Sequence, residues 1–203
     1  MAEQSTRKDS TLKLGAARIL ESAMELFASH GYTATGIRDI ARAAGISSSV
    51  LYNHFDSKEE ILVGIMRDGF ETLTQRARHA VGDETASDKQ LAALVRGHVY
   101  FETEQQRRAR VMTVEFRFLG TSARSAIVPV RDAYECVWDE VIKKGIERGI
   151  FRVRDVQMAR LGILGMCAGP GRWYWHDQPV KPDVIADAYA EMALNVLGVR
   201  ASR

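Results

Sequence analysis

Apolar positions along this chain recur in threes and fours. Ala16, Ile19, Leu20, Ala23, Met24, Leu26 and Phe27 line one face of a helix that Gly31 then stops. Two short elements follow. Thr35 is placed to cap a helix over Gly36–Ala43 with Ile37, Ile40 and Ala41 inward, and Gly45 ends it. Ser47 is placed to cap another over Ser48–His54, with Val50 and Leu51 inward. Asp56 or Ser57 then opens a longer helix running past Leu73, its first turn carrying Glu59 and Glu60 at the positive end of the helix dipole.

Beyond residue 80 the elements lengthen. Val81–Ser87 reads as a loop. Leu91, Leu94, Val95, His98 and Val99 restart the helical period, Glu104–Leu119 continues it, and Gly120–Ser125 reads as turn. A helix is predicted from Val130 to Glu147, with Tyr134, Val137, Trp138, Val141 and Ile142 inward and Gly149 as its stop. Asp155 opens a further helix through Ala168, and Pro170–Pro182 reads as a loop. Asp183 caps a last helix bearing Ile185, Tyr189, Met192, Leu194, Val196 and Leu197. The chain has four prolines, none before Pro129, and no alternating run long enough for a strand. The expected fold class is all-α, with an N-terminal helix-turn-helix domain and a larger helical domain.

The two short helices around Ala44-Gly45-Ile46 have the dimensions of a helix-turn-helix. In that motif the first helix braces the second, which projects into a DNA major groove. Ser47, Ser48, Ser49, Tyr52, Asn53 and His54 remain outward on the second helix, small and polar enough to approach base edges; Asn pairs well with adenine. Thr35 and Arg38, on the bracing side, are further candidate DNA contacts, and Lys58 is placed to neutralise a phosphate. His54 is equally suited to packing within the elbow.

These residues carry a resemblance. Phe27–Thr35, Thr35-Gly36-Ile37-Arg38-Asp39-Ile40-Ala41, Ala44-Gly45-Ile46-Ser47, Leu51-Tyr52-Asn53-His54-Phe55 and Ser57-Lys58-Glu59-Glu60-Ile61-Leu62 resemble the DNA-binding domain of TetR-family transcriptional regulators. The match covers roughly residues 12–72 without a gap. It implies a homodimer that binds a palindromic double-stranded operator, and a C-terminal domain of residues 73–203 that takes a small effector. Asn53 departs from the pattern, since the family often has an aromatic residue or His there.

Charge refines this picture. The chain carries 28 Lys+Arg against 26 Asp+Glu, a net +2, so no basic coat binds nucleic acid by charge alone. Residues 1–58 hold seven basic and six acidic side chains, and four of the seven (Arg7, Lys8, Lys13, Arg18) fall in the first eighteen positions. The expectation is a flexible basic arm over residues 1–11 that adds phosphate contacts.

In the C-terminal part, aromatic residues at helical spacing read first as core. A ligand pocket formed from Phe70, Tyr100, Phe101, Phe116, Trp138, Trp173 and Trp175 is the functional alternative. Arg172–His176 places three aromatics together after Gly169-Pro170-Gly171, more ring surface than a loop needs. Gly145–Arg152 and Arg172-Trp173-Tyr174 look like the TetR subgroup that senses acyl-CoA thioesters of fatty-acid or sterol catabolism. That resemblance implies an apolar tunnel for the acyl part and basic residues for the CoA phosphates. Arg107, Arg108 and Arg110 are one candidate group, although they read first as a solvated helix face. The family pattern also assigns Ala159–Ala168 and Asp183–Leu197 to the dimer contact.

Other classes fit less well. The chain has no HExxH, GxSxG or P-loop, and its five histidines lack metal spacing, so no enzyme, cofactor or metal is expected. A helical enzyme or adaptor that kept the fold without operator binding is the competing reading. Cys136 and Cys167 have no disulfide or zinc spacing, and the N-terminal segment lacks a secretory pattern, which together lead to an expected cytoplasmic location without a membrane partner.

Overall fold

The computed structural model describes residues 2–174 and 179–199, with side chains from Leu14 onward. It is built of helices, and no strand occurs among the described residues. The order is α1 (Ala2–His30), α2 (Ile37–Ala43), α3 (Ser48–Tyr52), α4 (Lys58–Val81), α5 (Ser87–Glu104) and α6 (Gln106–Val114). A 3-10 turn (Glu115–Phe118) follows, then α7 (Thr121–Glu147), α8 (Val156–Cys167), α9 (Pro170–Trp173) and α10 (Pro182–Val196). The chain forms two compact units, residues 1–69 with 110–128, and residues 70–109 with 129–203. Residues 110–128 thus pack with the N-terminal unit.

In the first unit, Ile19, Ala23 and Phe27 of α1, Ile40 of α2, Leu51 of α3 and Ile61, Leu62, Ile65 and Met66 of α4 are buried. Each large side chain removed from water contributes about 1.5–3 kcal/mol. No proline or glycine precedes Gly15, and α1 accordingly starts at Ala2, through the segment read as a flexible arm. It ends at Gly31, whose φ of 86° suits glycine; Gly45, with φ 66°, makes the elbow between α2 and α3.

Three local expectations are corrected. Gly36, not Thr35, caps α2: the Gly36 N–H donates to the Asp39 carboxylate at 3.2 Å, while the Thr35 hydroxyl donates to the Gly31 carbonyl at 2.8 Å. Val50 is exposed, because Leu51 takes the single inward position of a helix only five residues long. The segment 121–129 is helical. The period Ala123, Ile127, Tyr134, Trp138 carries one buried face through Pro129, and the Glu59 carboxylate holds the Gly120 N–H at 2.6 Å at the start of α7.

In the second unit, α5 packs along α10 and also touches α8 and α9. Arg96 pairs with Asp187 at 2.6 Å, and the Tyr100 hydroxyl donates to Asp183 at 2.6 Å. Asp183 therefore serves α5 from the first turn of α10, and Lys181 is the cap residue. Gly145 is buried against Phe151: a methyl group there would lie 2.0 Å from the ring, so glycine permits the turn after α7 to fold back.

Candidate DNA-recognition face and a buried polar cluster

The recognition element is built from backbone economy. The Ser47 hydroxyl accepts the Val50 N–H at 3.3 Å and lies 2.8 Å from the Ser49 hydroxyl, which fixes the first turn of α3. Ser57 caps α4 by accepting the Glu60 N–H at 3.0 Å, and the Glu60 carboxylate accepts the Asp56 N–H at 2.6 Å. Between these two caps α3 presents an outward surface. Ser47, Ser49, Val50, Tyr52 and Asn53 are exposed and Ser48 is half-buried; Arg38, on α2, is exposed too. Tyr52, at 53% exposure, is the largest of these groups and has room to reach a groove.

Three of the residues singled out from the sequence face inward instead. Thr35 is buried and its hydroxyl is spent on backbone carbonyls. The His54 ring lies against α1, 2.9 Å from where a methyl at Gly15 would stand, so its role is packing. Lys58 donates from Nζ to the carbonyls of Tyr32 at 2.8 Å and Thr35 at 2.9 Å, over the face of the Tyr32 ring at 4.3 Å. Partial burial lowers its pKa below the ordinary lysine value. Lys58 thus ties the start of α4 to the loop that leads into α2. Tyr32 continues the stack, edge-on to Phe27 and parallel to Phe118.

The described members of the expected ligand pocket stand in different settings. Phe101 and Trp138 are buried core, Tyr100 is bound to Asp183, and Phe116 belongs to the first unit under the Arg124 guanidinium. Phe70 is half-buried, Trp173 is exposed on α9, and Trp175 lies outside the described residues.

The second unit holds a buried polar cluster on α5 and α7. His98 on α5 shares a 2.7 Å hydrogen bond between Nδ1 and the Tyr134 hydroxyl of α7. Its Nε2 lies 3.6 Å from the Glu102 carboxylate, too far for a hydrogen bond, and has no partner. Trp138 stands edge-on to both rings. Burial drives every member toward its neutral form: His98 falls to about 4, Glu102 rises to about 8 against the opposing charge of Arg172, and Tyr134 rises well above the phenol range. The spacing of His98 and Glu102, four apart among Leu94, Val95, Val99 and Phe101, was the available signal. Next to the cluster a cavity of about 10 Å³, room for one water-sized group, is lined by Leu73, Ala77, Leu94, Gly97, His98 and Tyr134.

The linkage has a measurable consequence. Glu102 keeps its proton in the folded state up to about pH 8, whereas the unfolded chain releases it near 4.5, so its contribution is full below 4.5 and is lost as pH rises toward 8. His98 acts oppositely: its contribution is full above 6.5 and is lost as pH falls toward 4. The two slopes offset each other between 4.5 and 6.5, and Glu102 acts alone above that. We expect unfolding free energy to fall by about 2 kcal/mol from pH 6.5 to 8 and this loss to vanish in Glu102→Gln. Denaturant titration at both pH values checks it; an equal loss in the variant would refute the assignment.

A short helix with a polar outward face, braced by α2 and capped by Ser47, followed by a further helical unit, is the build of a helix-turn-helix DNA-binding protein with a second helical domain. Residues 19–65 match the family model described as bacterial regulatory proteins of the tetR family, and residues 84–197 match that of the tetracyclin repressor-like C-terminal domain. The chain belongs to the TetR family and is a DNA-binding transcriptional regulator. It is 31% identical over 181 residues to the HTH-type transcriptional repressor KstR2 of Rhodococcus jostii, covering 88% of this chain and 89% of that one. It is 26% identical over 184 residues to the fatty acid metabolism regulator protein of Bacillus subtilis, covering 90% and 94%. A crystal structure of a tetR-family regulatory protein from Rhodococcus RHA1 superposes with a TM-score of 0.86 at 29% identity, covering 92% of this chain and 98% of that one. No described helix is long and apolar enough to cross a membrane.

Proposed function

We propose that this regulator is a repressor that binds a palindromic operator as a homodimer and is released by an apolar, acyl-CoA-type effector. The observation that carries the dimer is an uncovered apolar stripe on the last two long helices. Met158 and Leu161 on α8 are exposed, and Val184, Met192 and Val196 on α10 recur at multiples of four with the half-buried Ala188 between them. Exposed Gly162 and Gly165 permit close approach of a second copy. Such a patch in water favours self-association.

Each protomer then contributes one α3 to a half-site. Ser47, Ser48, Ser49 and Asn53 offer hydroxyls and an amide to base edges and phosphates, Tyr52 reaches furthest, and Val50 offers methyl groups that suit a thymine. Arg38 meets the backbone from α2. The effector reading is supported by names among the relatives, which include a fatty acid metabolism regulator and the repressor KstR2. The effector enters between the α4 segment near Leu73 and Ala77 and the α5 segment near Leu94 and Gly97, where the present cavity is small. Wedging these helices apart moves α4, whose first residue is Lys58. A coupling of about 1–3 kcal/mol between the two sites changes operator affinity about 5- to 150-fold. The protein acts in the cytoplasm and does not turn the effector over.

Selection of bound duplexes from a random pool, followed by release with acyl-CoAs, tests this reading. We expect an inverted-repeat site protected on both halves. Enrichment of no sequence would favour an adaptor on the same fold, and consumption of the thioester would favour an enzyme. On the selected site, Tyr52→Ala and Asn53→Ala should each weaken binding by about tenfold without lowering the unfolding temperature. Unchanged affinity in both would remove α3 from the interface.

A further inference from the structure

Residues 110–128 of the first unit carry a charge that folding leaves unmet. They hold three arginines, Arg110, Arg117 and Arg124, and one acid, Glu115, which is buried. All three arginines are exposed, and none forms an ion pair among the described residues. Arg117 and Arg124 stand together, the Arg124 guanidinium donating to the Arg117 carbonyl at 3.1 Å. Arg117 lies over the Phe118 ring at 4.8 Å, and Arg124 over the Phe116 ring at 5.6 Å. Contact with a ring steadies a guanidinium without giving its N–H groups an acceptor. Those of Arg117 have none among the described residues. The nearby Glu59 carboxylate accepts the Gly120 N–H at 2.6 Å and pairs with neither arginine.

We propose that Arg117 and Arg124 form a second DNA contact, holding phosphates of the duplex backbone apart from the base-reading helix α3. Their place in the molecule favours a duplex as the occupant. Both belong to the compact unit that contains the helix-turn-helix. Phe118 stacks on Tyr32 at 5.9 Å, and Lys58 Nζ lies over Tyr32 at 4.3 Å. Together with the Arg117–Phe118 contact, these distances keep the Arg117 guanidinium within about 15 Å of Lys58 Nζ, at the start of α4. Charge favours it too. Helix α3 has no Lys or Arg, Lys58 is spent on carbonyls, and Arg42 is paired with Asp39 at 3.3 Å. That leaves Arg38 as the exposed arginine of the two short helices without a carboxylate, whereas affinity for a duplex grows with each cation that displaces a counterion. The chemistry of the surface agrees. Thr121, Ser122 and Ser125, next to the arginines in sequence, are exposed, and guanidinium and hydroxyl groups are common donors to phosphates. A protein partner would call for a broader apolar centre than Val114 and Phe118 supply, each little more than a third exposed. This contact does not depend on what the second unit senses.

Affinity of the full-length protein for the selected duplex at several salt concentrations tests it. A plot of log affinity against log salt loses about 0.9 of slope for each phosphate contact removed. The double variant Arg117→Gln with Arg124→Gln should therefore lose a slope of about two. Its deficit against the parent should shrink about tenfold between about 50 and 200 mM salt. The enriched sequence should stay the same, because phosphate contacts carry no base information. Arg117→Lys with Arg124→Lys keeps the charge and should restore the slope. A slope within about half an ion of the parent's in the glutamine variant overturns the contact, whether or not affinity falls, and leaves the surface to an acidic protein. Where the glutamine variant loses slope but also melts lower, the lysine pair decides: a restored slope supports the contact and an unrestored one overturns it. If no sequence is enriched, the operator reading fails separately, and a random-sequence duplex carries the same comparison. Binding to no duplex at all overturns both.

Discussion

Lys58→Met should weaken operator binding by about a hundredfold and lower stability by about 2 kcal/mol. The reason is internal. The ammonium group donates to the carbonyls of Tyr32 and Thr35 and lies over the Tyr32 ring, so its removal frees the loop that sets the angle of α2 and hence of α3. Hydrogen bonds from a charged donor are worth about 1.5–3 kcal/mol where partly buried. A phosphate contact at the same residue makes a different forecast. It would leave the unfolding temperature unchanged and reduce the salt dependence of binding by about one ion. Melting curves together with affinities at several salt concentrations separate the two, and an unshifted melt with a shallower slope would sink the internal role.

Arg160→Met should cost the second unit about 3–5 kcal/mol, or an unfolding temperature lower by about 10 °C. Arg160, on α8, is buried and holds two carboxylates of α7, Glu135 at 2.7 Å and Asp139 at 2.5 Å. Removing the cation leaves two partly buried negative charges close together, with Glu135 still facing Arg131 at 3.2 Å and Asp139 losing the guanidinium that holds its Oδ2. The penalty is the cost of uncompensated charge rather than the worth of the pair. Substituting all three groups by apolar residues of similar size should therefore recover most of the loss. A single variant that melts within a degree or two of the parent would show that water already reaches these carboxylates.

How much was legible in the sequence depends on how local the cause was. The stops at Gly31, Gly45 and Gly149 follow from backbone conformations that glycine adopts at little cost, and all three have positive φ in the structure. The Ser47 and Asp155 caps likewise need only a side chain and an amide three residues on. Val50 departs from its expected inward place because a five-residue helix has one inward position, and whether it falls to residue 50 or 51 depends on the orientation of α3 against α2. Thr121–Ser125 is helix where local sequence suggests a turn, because the contact at the start of α7 comes from Glu59, sixty-one residues from Gly120.

The sequence by itself determined the helical class, the helix-turn-helix and the family, since these rest on period, caps and spacing within a few turns of chain. Tertiary structure alone decided what Thr35, His54 and Lys58 do. Each is polar and close to α3 in sequence, yet each spends its polar atoms or its ring on an interior partner. It also decided that His98, Tyr134 and Trp138, which read as ordinary inward positions on two helices, meet Glu102 in one neutral cluster. Periodicity tells which way a side chain faces. The partner it finds there, and so its charge and its chemistry, is fixed only when distant helices pack.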